Sequence, residues 1–568
     1  MKRNFNIPKT ILRDVNFDNY VIQYQGDIAE EVSKEPNYFV LLINDKYAII
    51  SVPKDVEPTE ILLKFSSIVY VKPAEMYTLQ EISPVEASRA NFLQLGSPLN
   101  LKGKGVNIGI IDTGIDYLCE EFMDENGNTR IEYIWDQTIN SDNDDVPFGS
   151  VYSKDKINEA IQAYNNGNSP YEIVPTKDEI GHGTNMAGII GGTGKNPNLR
   201  GVVPECNFVV VKLLEDYSFK EQFNVKVPVF NITAIFSAME YLYRYYLNAF
   251  KPIVIYLPLG SNLGSHTGND ILEKYLETIS SNNGIAIVTG TGNERNKMSH
   301  ASRIMTNNNQ IRSIEIDVSP EETDLWVEIW VDSPNVVSLD VISPSGENTG
   351  IMTPLINSVE FYTFIFEKTS IRVNYYLPEE FTGDELIRIR FYNIQQGIWK
   401  LRLTGNSILY ATINAWIPQE GIKHGSTHFS WSDPYGTITN PGNSEYLITA
   451  AAYNQNNNNI VNYSGMAFTS NYENKIDVAA GGVNALTVAP NNKTAIVNGT
   501  SVAAAVLAGA CAMLFEWGIV LGNYPYMYSQ SMKSFLARGT TKRIGDIYPN
   551  PQWGYGILNI VTMFQNMT

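Results

Sequence analysis

The sequence predicts an α/β protein with a parallel sheet and flanking helices at its core, a small α+β unit ahead of the core, and an all-β sandwich inserted within it. Three patterns carry this reading. Short β-branched runs such as 106–111 and 252–257 alternate with helical stripes, for example Ile235, Met239, Leu242 and Tyr246, then Leu272, Tyr275, Leu276 and Ile279. From Ile314 the period falls to two, and the first hundred residues read as strands, a hairpin and a helix. At 568 residues the chain can bury more than one core.

In chain order, the N-terminal unit has a strand at 20–24, then a hairpin of 38–43 and 47–52 turning at Asn44-Asp45. A helix over 58–66 with Ile61, Leu62 and Phe65 on its apolar side follows, and a last strand at 68–71. The strand 106–111 then delivers Asp112 at its C-terminal end, where open α/β sheets place their sites. Gly181-His182-Gly183-Thr184 opens a short apolar helix stopped by Gly191 and Gly192. Alternating runs at 314–318, 325–331, 339–342, 359–366, 371–376, 386–391, 399–403 and 408–416 imply about eight short strands, hence a β-sandwich of the jelly-roll kind. Finally, Ser501 begins an apolar run to Phe515 that reads as a buried helix with a hydroxyl in its first turn.

A helix N-terminus presents unpaired N–H groups and the positive end of a dipole, so negative charge developing beside Ser501 is stabilised there. Gly-Thr-Ser alone is more often an ordinary helix cap. The upstream Asp112 and His182 turn it into a candidate nucleophile, in the chain order Asp, His, Ser found in subtilisin. Ile111-Asp112-Thr113-Gly114-Ile115-Asp116, Gly181-His182-Gly183-Thr184 and Gly499-Thr500-Ser501 together resemble the three signature blocks of the subtilisin-like serine proteases. Val288-Thr289-Gly290-Thr291-Gly292-Asn293 resembles that family's strand ending in the oxyanion asparagine, and Tyr548-Pro549-Asn550 with Trp553-Gly554-Tyr555-Gly556 matches its closing segment.

The resemblance implies a serine endopeptidase in which Asp112, His182 and Ser501 form the triad and Asn293 donates to the oxyanion. Leu257-Pro258-Leu259-Gly260 aligns with the strand lining the family's primary specificity pocket. It also implies that the N-terminal unit is a ferredoxin-like prodomain, a folding chaperone and inhibitor cut off after Gln80. The expected division is prodomain 1–80, first catalytic part 81–301, inserted sandwich 302–428 and second catalytic part 429–568. About 65 residues separate the asparagine and the serine in subtilisin, against roughly 200 between Asn293 and Ser501 here, and the sandwich accounts for the excess. Where the family's serine block continues Met-Ala-Ala-Pro, this chain has Val502-Ala503-Ala504-Ala505; the proline's missing N–H falls in the first helical turn, so Ala505 is sterically harmless.

Prodomain, insertion and altered serine block together resemble the Csp-type germination proteases of clostridial spores. That likeness implies a spore protein made without a signal peptide in the sporulating cell, with a cortex-hydrolase zymogen as protein substrate and its own cleaved prodomain as partner. Since that subfamily also holds inactive members, a plugged pseudoprotease acting as a germination sensor stays open, as does a general degradative subtilisin.

Composition narrows the remaining classes. A net charge of −19 argues against nucleic acid as a partner. No run reaches the eighteen or more consecutive apolar residues of a membrane span, and the basic N-terminus lacks the apolar stretch of a secretory signal. Three cysteines argue against a disulfide framework. No cofactor and no metal site are expected: His424 and His428 have a metal-like spacing but no third ligand, and the Asp-rich stretch 141–145 reads as a solvated loop without an EF-hand pattern. Asp116 reads as a turn residue, and His266, His300, His424 and His428 as surface residues. A monomer is expected, since no coiled coil or apolar interface stripe stands out.

Overall fold

The computed structural model describes residues 7–8, 10–79, 86–94, 99–140 and 146–567. The Asp-rich stretch 141–145 and Gln80 lie outside them.

At the centre of the main sheet, strands Ile285–Gly290, Ile253–Tyr256, Asn107–Asp112 and Asn207–Lys212 run parallel, side by side. Ile448–Asn454 and Val478–Gly481 extend the sheet in parallel on one side and Ile131–Asp136 on the other. Both faces are covered, which is why these strands are near-continuously apolar. Val254 and Tyr256 face a core shared with helices His182–Gly191 and Thr500–Phe515. Ile253 and Ile255 face the opposite core, built with Ile232–Ala249 and Ile271–Ser280. The segment Thr500–Val520 is long and apolar enough to cross a membrane by length and composition, but 89% of that window is buried inside the protein. It is the core helix against which the sheet packs.

Ahead of this core, a four-stranded antiparallel sheet has the order Phe39–Leu42, Tyr47–Pro53, Phe17–Tyr24, Ile68–Lys72, with helices Ile28–Ser33 and Pro58–Lys64. Sequence periodicity does not reveal the first of these helices. With six residues and only Ile28 and Val32 buried, it is too short to display a period, and Asp27 starts it by accepting from the Glu30 N–H at 3.0 Å. Tyr20, Ile22 and Tyr24 pack under the two helices, while Val21, Tyr47 and Ile49 face the catalytic core, where Tyr47 meets Phe236 and Tyr275 edge-on.

The insertion is two antiparallel sheets closed over one apolar core. The larger runs His300–Met305, Ala411–Trp416, Asp324–Val331, Glu385–Tyr392, Ser370–Tyr376, Val359–Thr363, and the smaller Val336–Ile342, Gly397–Ser407, Ile311–Val318, His428–Phe429. The eight strands expected from the period of two are present, and the flanking strands His300–Met305 and His428–Phe429 add to them.

Two histidines depart from the expectation of surface residues. His266 and His300 are both buried and stack on Trp416, His266 at 4.0 Å between ring centroids and His300 at 4.7 Å. Their polar neighbours in sequence give no sign of this, because the cover comes from Trp416, distant in sequence from both. His424 and His428 are half-buried; His424 Nε2 lies 2.8 Å from the Phe223 carbonyl.

Candidate active site

Asp112 ends its strand fully buried, and both its oxygens lie 2.8 Å from His182 Nδ1. His182 is the first residue of its helix, entered through Gly181 at φ 88°, a left-handed conformation that glycine adopts without strain. Gly183 is required by proximity, since a Cβ there would stand 2.0 Å from the Gly114 carbonyl oxygen. That close approach sets the Asp112 turn directly against the start of the His182 helix.

Asp178, which sequence reasoning does not single out, ties these two segments together. Its carboxylate accepts from Thr113 Oγ1 at 2.8 Å, Gly181 N at 2.7 Å, Thr184 N at 2.8 Å and Thr184 Oγ1 at 2.7 Å. The one signal in the sequence is a carboxylate four residues before His182, on the same glycine-flanked turn. Asp116 does behave as a turn residue, accepting from Leu118 N at 3.1 Å and Asn491 N at 2.6 Å.

Ser501 lies in the first turn of the core helix, with its carbonyl held by the Tyr256 hydroxyl at 2.7 Å. Its Oγ is buried and makes no hydrogen bond among the described residues. A hydroxyl without a competing partner is free to rotate toward a base, and such bonds commonly tighten only when substrate is bound. Asn293 is brought to the same helix N-terminus. Its Oδ1 accepts from Thr500 N at 3.3 Å and Thr500 Oγ1 at 3.2 Å, which leaves the Nδ2 amide as the group with donors to offer. Beside it, burial pushes the Glu294 carboxyl up to about 7.

Within 257–260, Leu259–Gly260 meets the N-terminal segment through its backbone, and the side chains of Leu257 and Leu259 belong to the core beneath the sheet. Leu259–Gly260 pairs antiparallel with Met76–Leu79, with Leu259 opposite Leu79 and Gly260 opposite Thr78. On its other edge Met76–Leu79 pairs with Phe230–Asn231, Phe230 opposite Tyr77 and Asn231 opposite Met76. Residues 76–79 are thus the middle strand of a three-stranded antiparallel sheet, immediately upstream of Gln80. The second wall, Phe230–Asn231, is invisible in the sequence because two residues show no periodicity. Among the described residues no group of three or more His, Cys, Asp or Glu side chains is arranged to hold a metal ion.

A profile of the subtilase family matches residues 103–315 and 432–556, more than half of the chain, and these ranges include Asp112, His182, Asn293 and Ser501. The chain belongs to the subtilase family. It is a serine peptidase, and its substrates are accordingly proteins or peptides. The stretch between the two matched segments carries most of the inserted sandwich. Among solved structures, this subtilase is similar to the Clostridium perfringens CspB protease, with a TM-score of 0.75 and 29% identity over 85% of this chain and 99% of that one. No curated protein matches it at a significant level.

Proposed function

We propose that this subtilase cuts its own chain after Gln80, with Asp112, His182, Ser501 and Asn293 as the catalytic groups, and then activates a spore cortex-hydrolase zymogen by limited proteolysis. The observation that carries the reading is the backbone of Met76–Leu79, threaded between Phe230–Asn231 and Leu259–Gly260 as a bound peptide would be. Segment 1–80 is then the inhibitor, 81–301 and 429–568 the catalytic part, and 302–428 the insertion. The spore setting rests on the likeness to CspB.

In this mechanism Ser501 Oγ attacks the carbonyl of Gln80 while His182 takes its proton and later returns it to the leaving amine. Asp112 holds His182 in one tautomer through Nδ1 and stabilises the imidazolium that forms. The Ser501 N–H and Asn293 Nδ2 bind the oxyanion, and loss of one such donor costs about 3 kcal/mol.

Intact mass of the wild type beside Ser501→Ala tests the proposal. The expected result is a wild type split into a fragment of about 80 residues and a large remainder, with the variant whole. A second reading is favoured by the occupied cleft itself: an intact triad plugged by residues 76–79 acts as a sensor. Two full-length proteins would support it over the first. Ready hydrolysis of unfolded casein would instead support a degradative enzyme.

A further inference from the structure

We propose that the inserted sandwich completes the substrate cleft, forming a subsite that selects a large apolar side chain at the fifth residue upstream of the cut. The proposal rests on the reading above that the bond after Gln80 is the one cleaved; counting Gln80 as the first residue, Met76 is the fifth.

Gln419 lies in the segment returning from the sandwich and is almost fully buried. Its Nε2 donates to the Met76 carbonyl at 3.0 Å and to the Gly260 carbonyl at 3.1 Å, while its Oε1 accepts from Asn262 N at 3.2 Å. One amide from the insertion therefore binds both the peptide strand and the cleft strand that pairs with it. These contacts go to backbone atoms, so they hold any extended chain and leave selection to the side chain beside them.

That side chain, Met76, is buried in a cluster built from two parts of the protein. Phe223, Val225 and Val229 come from the catalytic part, and Ile422, with the half-buried Trp326, from the insertion. The turn that brings Ile422 there passes through Gly421 at φ 90°, where a Cβ would come within 2.9 Å of Val227. A cavity of about 160 Å³ continues alongside Met76, bordered by Phe223, Trp326, Ile422 and Arg390. The Arg390 guanidinium lies over the rings of Phe223 and Trp326, at 4.8 and 5.0 Å, and fixes that wall. The cluster therefore accepts an extended peptide carrying an apolar residue of methionine's size, and it leaves alanine without contacts. Without the insertion, the two backbone walls would keep only the catalytic part's share of this cluster, Phe223, Val225 and Val229.

Two measurements on the full chain test this. The first needs no catalysis: hydrogen exchange of residues 76–79 in Ser501→Ala, compared with the same protein carrying Met76→Ala, Ile422→Ala or Gln419→Ala. Each change is expected to speed exchange there about tenfold, with the strands Asp324–Val331 and Phe17–Tyr24 unaffected as a check on folding. Unchanged exchange in Met76→Ala, which leaves the pocket intact, would overturn the proposal. In the second, quenched peptides with Met-Tyr-Thr-Leu-Gln or Ala-Tyr-Thr-Leu-Gln before the cut are compared. Wild type should prefer the first by about tenfold in kcat/KM, mainly through KM, and Ile422→Ala should narrow the gap to about threefold or less. Peptides beginning at tyrosine should not distinguish the two enzymes. Equal rates with methionine and alanine would sink the subsite. If wild type cleaves neither peptides nor itself, the catalytic reading fails, and the exchange data still decide the subsite.

Discussion

The N-terminal unit and the inserted sandwich are both antiparallel additions to one parallel core, yet they dock by different physics. Lys72 carries the first interface: its buried ammonium pairs with Asp270 of the core and, at 2.6 Å, with Glu75. Arg372 of the insertion pairs with Glu57 on the same unit, and the Tyr70 hydroxyl meets Glu379 at 3.2 Å. The sandwich docks instead through the His266–Trp416–His300 stack, with Trp416 Nε1 donating to the Gly436 carbonyl at 3.0 Å. Its buried ion pair nearby, Arg388 with Glu328, lies within the insertion itself, while Glu328 also accepts from Gly264 N at 2.8 Å. Charges separated across an interface make docking conditional on pH, whereas the stacked rings hold across the neutral range. The roles proposed for them, a releasable inhibitor and a fixed cleft wall, need that difference.

The largest expected effect breaks the stacked interface. Trp416→Ala should destabilise the protein by about 3–5 kcal/mol, because a fully packed aromatic is lost where the neighbouring rings cannot close the gap. Chemical denaturation would show an early transition confined to the sandwich, and an unchanged midpoint would refute the assignment. Lys72→Met comes next, at about 3 kcal/mol. It leaves Asp270 buried without its cation, so urea titration should release the N-terminal unit first while the sandwich transition stays in place.

The sharpest contrast is in pH. Burial, only partly offset by Lys72, pushes Glu75 up to about 8. Docking therefore takes up a proton; the stabilisation is complete below the ordinary carboxyl range and fades as the pH rises through 8. Burial pushes His266 down to about 4, with Asn262, His300 and Glu328 around it. Its contribution is complete above the ordinary histidine value and is lost as the pH falls through 4. Raising the pH from 6 to 9 should thus lower the urea midpoint of the N-terminal unit, and lowering it from 7 to 4 should erode the near-ultraviolet dichroism of the Trp416 stack. Parallel loss of both signals at one extreme would show that the interfaces are not separately controlled. The smallest effect is Tyr70→Phe, which removes one hydrogen bond to Glu379 and should cost about 1 kcal/mol in the same titration.

Much of this protein is legible in its amino-acid sequence. The alternation of strands and helices, the period-two insertion and the placement of Asp112, His182, Asn293 and Ser501 at element ends are local properties, set by side-chain periodicity and by glycine and capping chemistry. Periodicity fails where elements are short, as at Ile28–Ser33 and Phe230–Asn231, and where burial comes from a distant segment, as for His266 and His300. Asp178 is readable as a residue but not as a clasp, because its four donors come together only once two turns meet.

The sequence by itself thus determined the kind of chemistry and the order of its parts, since a nucleophile, a base and their orienting carboxylate each need a particular residue on a particular local element. Only the tertiary structure decided what surrounds them. Residues 76–79 occupy the cleft, Gln419 reaches in from the insertion, and Lys72 finds Asp270 across some two hundred residues of chain. Such contacts join segments far apart in sequence, and no local pattern encodes which of many polar or apolar side chains the folded chain will bring face to face.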